Sequence, residues 1–157
     1  MTTPIVGKHV YDTVNGVQTY ADLRGYDVII TPDACFRAMI FIESLNYKGS
    51  PTEDDQDLRW PRKNVVYDGL VLPDDEVPSK VKNAFREGAV IESKNPGALV
   101  PTQPGPGKVK REKVDVIEVE YFEPRDDRNV DYTFPVLIWL QGLLKDSNVR
   151  NIRMGLM

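Results

Sequence analysis

From Pro32 to Leu45 the apolar residues Ala34, Cys35, Ala38, Met39, Phe41, Ile42 and Leu45 return at helical spacing and cover more than one narrow stripe. This predicts a central helix contacted on several sides. Thr31-Pro32-Asp33 supplies its start: a hydroxyl cap, a proline at the first helical position and an acid in the first turn. Glycine and proline in Asn46-Tyr47-Lys48-Gly49-Ser50-Pro51 end it, and an acidic loop follows. A second periodic run, Val77, Val81, Ala84, Phe85, Gly88 and Ile91, predicts a helix from Pro78 to about Glu92 with Lys80, Lys82, Arg86 and Glu87 in solvent. Gly88 on its packed face costs about 1 kcal/mol relative to alanine. Close approach of another backbone would compensate, and the central helix is expected across it. A third helix opens at Pro135 and carries Val136, Leu137, Leu140, Leu143 and Leu144 on one face. A short first helix is read at Thr19–Tyr26, limited by Gly25 and the β-branched Val28, Ile29 and Ile30.

The remaining chain is not helical in pattern. Residues 1–18 read as a loose or strand-forming arm, with Asn15-Gly16 as a hairpin-type signal between Val14 and Val17. Residues 95–107 are rich in proline and glycine, which interrupts helix and ladder alike. From Lys113 to Phe122 the pattern is that of a strand: Val114 and Val116 share one face, and Ile117, Val119 and Tyr121 the other. The change of face predicts a bulge or burial on both sides. Its pairing partner is either residues 5–18 or the same segment of another subunit. The last residues place Arg150 and Arg153 beside Ile152, Met154, Leu156 and Met157, either a frayed end or a docking peptide. The expected fold class is therefore mainly α, a small helical bundle with a β-strand or hairpin arm and extended termini. Its divisions are an N-terminal arm (1–18), a helical core (19–94), a linker and β arm (95–131), a C-terminal core helix (132–146) and a docking tail (147–157).

Trp60-Pro61 is a rigid apolar unit between Arg59 and Arg62. The guanidinium groups could stack on the indole or pair with Glu53, Asp54, Asp55 and Asp57. Trp60, Pro61 and Arg62 are read as a structural anchor pinning a loop to the core, with partner contact as the other possibility.

Composition narrows the function. The 157 residues carry a formal net charge of −4, whereas a general nucleic-acid binder presents a basic face. One cysteine, Cys35, and one histidine, His9, leave no Cys/His zinc spacing. Cys35 sits in an apolar run and reads as a buried small hydrophobe. No signal-peptide pattern or membrane-length apolar run occurs. Nucleophilic catalysis would have only His9 as its histidine base, placed in the arm. The acid pairs Asp54-Asp55, Asp74-Asp75 and Asp126-Asp127 fall in predicted turns, and Gly105-Pro106-Gly107-Lys108 lacks phosphate-loop spacing. No catalytic, metal or cofactor site is expected, and no enzyme.

Several pieces together resemble a family of tailed-bacteriophage proteins that join head to tail, often labelled DnaT-like single-stranded-DNA-binding proteins. They are Thr19-Tyr20; Tyr47-Lys48-Gly49; Leu58-Arg59-Trp60-Pro61-Arg62; Asp68-Gly69; Val77-Pro78-x-x-Val81-Lys82-x-Ala84; Lys110-Arg111-Glu112-Lys113-Val114; and Glu118-Val119-Glu120-Tyr121, before the final leucine-rich helix. The likeness covers about Gln18 to Leu144. The chain departs from it in the first helix, at Gly25 and Val28-Ile29-Ile30, and in the added tail. The resemblance implies a head completion or adaptor protein of the virion neck, made in the bacterial host cytoplasm. It would form a homo-oligomeric ring, commonly of twelve copies, between the portal protein and a tail terminator or other neck protein. Double-stranded DNA would pass through the lumen without specific binding, and no membrane is involved. On that reading Arg150, Ile152 and Arg153 contact the portal, and the segment with Val114, Val116, Ile117, Val119 and Tyr121 reaches a neighbouring subunit. The alternative is a single-stranded-DNA-binding replication accessory protein, using Lys108, Lys110, Arg111 and Lys113 with Tyr121 and Phe122.

Overall fold

The computed structural model describes residues 3–99 and 132–145. Among these residues the order of elements is α1 (Val14–Leu23), α2 (Pro32–Glu43), β1 (Ser50–Pro51), β2 (Arg62–Lys63), β3 (Val66–Tyr67), β4 (Leu70–Val71), α3 (Ser79–Lys94) and α4 (Phe134–Trp139). The fold is mainly helical with two small antiparallel sheets, β1 with β2 and β3 with β4. Helix α3 is the axis, packed by α2, α4 and α1. No helix among the described residues is long and apolar enough to cross a membrane.

Helix α1 begins well before the expected Thr19 and replaces the hairpin signal. Thr13, in extended backbone, accepts the N–H of Gly16 on its hydroxyl at 2.9 Å. That cap places Asn15-Gly16 in the first helical turn, and Val17, Tyr20 and Ala21 then meet the core at helical spacing. The helix stops at Gly25, whose φ of +77° closes it.

Helix α2 starts as its sequence dictates. The Thr31 hydroxyl accepts the Ala34 N–H at 3.2 Å and Pro32 sits in the first turn. It ends at Glu43, and Leu45 is buried from the turn beyond. Helix α3 crosses α2 at Gly88, where a Cβ would stand 3.1 Å from Leu99 Cδ1 and 3.3 Å from Ala38 Cβ. The expected crossing is present, although small and flexible side chains, not backbone, occupy the space.

Helix α4 is shorter than its leucine pattern suggests. After Trp139 the chain turns, and Leu140, Leu143 and Leu144 reach the core from that turn. Gly142 at φ +88° makes the bend, with the Tyr67 ring where a Cβ would lie. Lys48 N–H then donates to Leu143 O at 3.0 Å and Lys145 N–H to Asn46 O at 3.0 Å, so this end is sewn to the segment leaving α2.

Between Trp60 and Pro78 the chain forms the β3–β4 hairpin. Asp68 and Gly69, at φ 54° and 82°, form its two-residue turn, with Tyr67 opposite Leu70 and Val66 opposite Val71.

Candidate functional site

Trp60 is buried, 2% exposed. Its peptide bond to Pro61 is cis, and its ring meets that of Tyr47 edge-on at 5.4 Å. Around it lies a buried polar relay. Tyr11 donates its hydroxyl to Glu43 Oε2 at 2.5 Å and accepts the Trp60 N–H at 3.2 Å, while Arg59 N–H donates to Glu43 Oε1 at 2.8 Å. Burial raises the Glu43 carboxyl above the ordinary range, opposed by those two donors. Burial, then the Glu43 charge, raises the Tyr11 hydroxyl, and the same two causes raise that of Tyr47. Both phenols stay protonated.

The arginines do not behave as their acidic neighbours suggested. Arg62 is buried and donates to Lys48 O at 2.8 Å, Gly49 O at 2.9 Å and Arg59 O at 3.2 Å. Neither Arg59 nor Arg62 forms an ion pair with Glu53, Asp54, Asp55 or Asp57. The planar fork instead gathers carbonyls that the bend before β1 leaves unpaired. Burial and the Arg59 charge lower the Arg62 pKa. Arg59 stands 5.8 Å from the Tyr47 ring rather than on the indole.

Two glutamates on α3 were missed. Glu87, expected in solvent, is 7% exposed and accepts from Tyr20 Oη at 2.7 Å and Tyr26 Oη at 2.9 Å. Burial and this bond raise both phenols. Glu92, fully buried, binds Arg37 Nε at 2.8 Å, Gly97 N–H at 2.8 Å and Leu99 N–H at 2.9 Å. Spacing alone gave no signal for these partners, because they lie 55 to 67 residues away or beyond the helix end.

The outer surface carries the features that could meet a partner. Arg24 lies 4.0 Å from the Tyr20 ring and 5.8 Å from that of Trp139, and Lys80 lies 5.8 Å from Trp139 and 5.5 Å from Tyr67. These contacts join α1, α3, α4 and the hairpin into one face. Its chain neighbours are apolar and open: Leu23 is 79% exposed, Ile138 48%, Leu70 71% and Val71 69%. A cleft of about 420 Å³ between α1 and α3 adjoins it, lined in part by Tyr20, Leu23, Arg24, Asn83 and Arg86. Arg86 is already engaged, with Asp12 at 2.7 Å and Asn83 at 2.9 Å. A second cavity, about 320 Å³, opens beside Trp60 and Pro61.

No group of three potential metal ligands occurs among the described residues. His9 Nδ1 accepts the Ile5 N–H at 3.1 Å, and its ring lies 5.8 Å from that of Phe36. Cys35 is fully buried, its thiol pushed up to about 11 by burial, as a packed hydrophobe rather than a nucleophile would be. Val114, Val116, Ile117, Val119 and Tyr121, and Arg150, Ile152 and Arg153, lie outside the described residues, as do Lys108, Lys110, Arg111, Lys113 and Phe122.

Fold and surface define a small, mainly helical protein with buried tyrosine–glutamate relays and an apolar, aromatic outer face. A family model described as "Putative DnaT-like ssDNA binding protein" matches residues 2–155, and the chain belongs to that family. No curated protein and no solved structure matches the chain.

Proposed function

We propose that this protein is a structural adaptor of a bacteriophage neck, assembling as a ring between portal and tail components and giving passage to DNA. The observation that carries this reading is the composition of the face formed by α1, α4 and the hairpin. Leu23 of α1, Ile138 of α4 and Leu70 of the hairpin are open next in sequence or in register to Arg24, Trp139 and Tyr67, and Val66 and Val71 are open on the other side of the hairpin. Aromatic and arginine side chains among exposed apolar ones are the make-up of a protein interface core. Ring closure would require this face to meet a different face of the next subunit. The segment 95–122 would reach that neighbour, and the tail through Arg150, Ile152 and Arg153 would contact the portal.

A second reading is favoured by the family description, which names single-stranded DNA. Arg24 and Lys80 beside Tyr20, Trp139 and Tyr67 could hold phosphates and stack bases. Against it, Arg37, Arg62 and Arg86 are spent on Glu92, backbone carbonyls and Asp12. The double substitution Ile138→Asp with Leu70→Asp separates the two. An adaptor loses assembly while the monomer stays folded. A DNA-binding protein keeps its mass there but loses oligonucleotide affinity, as it does in Arg24→Ala with Lys80→Ala, where the salt slope also becomes shallower.

A further inference from the structure

The cavity beside Trp60 has an apolar floor and an acidic rim. The buried Tyr11, Leu58 and Trp60 line it with Pro61 and Val77, and the exposed Val6, Asp75 and Glu76 line it with Lys82. Acidity extends beyond that rim. Thr52 Oγ1 donates to Asp74 O at 2.6 Å and ties the turn holding Asp74, Asp75 and Glu76 to the loop with Glu53, Asp54, Asp55 and Asp57. A site of this make-up suits a peptide with an apolar anchor between cations.

This chain contains such a peptide, and its attachment point is close. Arg150-Asn151-Ile152-Arg153-Met154 sets two arginines around an isoleucine, with a methionine following. The chain leaves the described fold at Lys145, bonded to Asn46 O, with Leu144 bridged to Tyr47. The Tyr47 ring rests on Trp60, which lines the cavity. An extended chain spans up to about 3.3–3.6 Å per residue, so Ile152 can travel roughly 23–25 Å from Lys145. A core this size has a radius of gyration of about 13 Å, so that reach exceeds its radius and covers a good part of one side.

We infer that the segment Arg150–Met154 docks into its own subunit's cavity, with Ile152 over the Trp60–Pro61 floor and Arg150 and Arg153 against Asp75, Glu76 and the neighbouring acids. The inference stands whichever of the two functional readings holds. Docking here and docking on a partner are exclusive, so the cavity sets how readily the tail is released.

The test uses the full chain carrying Val77→Cys and Asn151→Cys, which leaves Ile152 in place, oxidised with glutathione disulfide; two thiols join and two glutathione thiols are released. Cys35 is fully buried and does not compete. The expected product is a monomer lighter by two hydrogens. Adding Asp75→Lys and Glu76→Lys should slow its formation about fivefold or more, and further adding Arg150→Glu and Arg153→Glu should restore the rate. Covalent dimers would put the tail on a neighbouring copy and overturn the inference. So would the absence of a bond, or a rate indifferent to the rim charges, which would mean tethering alone.

Discussion

Replacing Glu92 by alanine should be among the most damaging single changes in this fold, and the reason lies in what the carboxylate holds. Glu92 is fully buried at the end of α3, accepting from Gly97 N–H, Leu99 N–H and Arg37 Nε. Without it, the Leu99 amide is orphaned in the core, at about 1–3 kcal/mol, and the Gly97 amide, which water can reach, at the low end of that range. The Arg37 side chain is 34% exposed, so its share is screened and amounts to about 1 kcal/mol at most. Together these give about 2–5 kcal/mol, or roughly a 10 °C fall in Tm at the middle of that range for a chain of this length. Urea unfolding of Glu92→Ala and Arg37→Ala measures both terms, and hydrogen exchange at Leu99 reports the local one. Arg37→Ala should cost about 1–2 kcal/mol, since water enters the position it vacates. The reasoning fails if Arg37→Ala costs as much as Glu92→Ala, for then the ion pair and not the backbone cap holds the turn.

Three further outcomes are expected. Trp60→Ala should cost about 3–5 kcal/mol by chemical denaturation, because it removes the buried ring that packs on Tyr47 and lines the cavity; unchanged stability with failed assembly would make Trp60 an interface residue instead. Glu43 has its pKa raised by burial above the unfolded value, so its ionisation costs stability at neutral pH and the cost is relieved as pH falls through the folded pKa. Wild type should therefore gain on Glu43→Gln when both are unfolded at progressively lower pH, from neutrality down to the ordinary glutamate range at about 4, and a constant difference over that whole span would refute the assignment. Gly142→Ala should lose about 1–3 kcal/mol in Tm measurements, since φ is +88° and the added Cβ would meet the Tyr67 ring, whereas a neutral effect would show that the hairpin yields.

Helices α2 and α3 were legible in the sequence because cap, proline and apolar period agree there: Thr31-Pro32-Asp33 sets one start and Val81, Ala84, Phe85 and Gly88 mark one face. The start of α1 was hidden because Asn15-Gly16 is a hairpin dipeptide in isolation, and only the Thr13 cap four residues before Val17 decides for helix. The β3–β4 hairpin did carry its signal, Asp68-Gly69 between two apolar triplets, and a strand reading of Val65–Leu72 would have found it. Glu87 and Glu92 could not be placed, since a glutamate at helical spacing looks solvated until tyrosines and an arginine from α1 and α2 close over it. The carbonyl partners of Arg62 could not be read, because they depend on where the chain turns after α2 and before β2.

The central claim is that this protein works by assembling, and its mass in solution tests that most directly. Native mass spectrometry of the full chain, alone and mixed with portal protein from the same virion, should show a closed oligomer or a stoichiometric portal complex that Ile138→Asp with Leu70→Asp abolishes. A monomer that ignores portal and binds single-stranded oligonucleotides with steep salt dependence would contradict it.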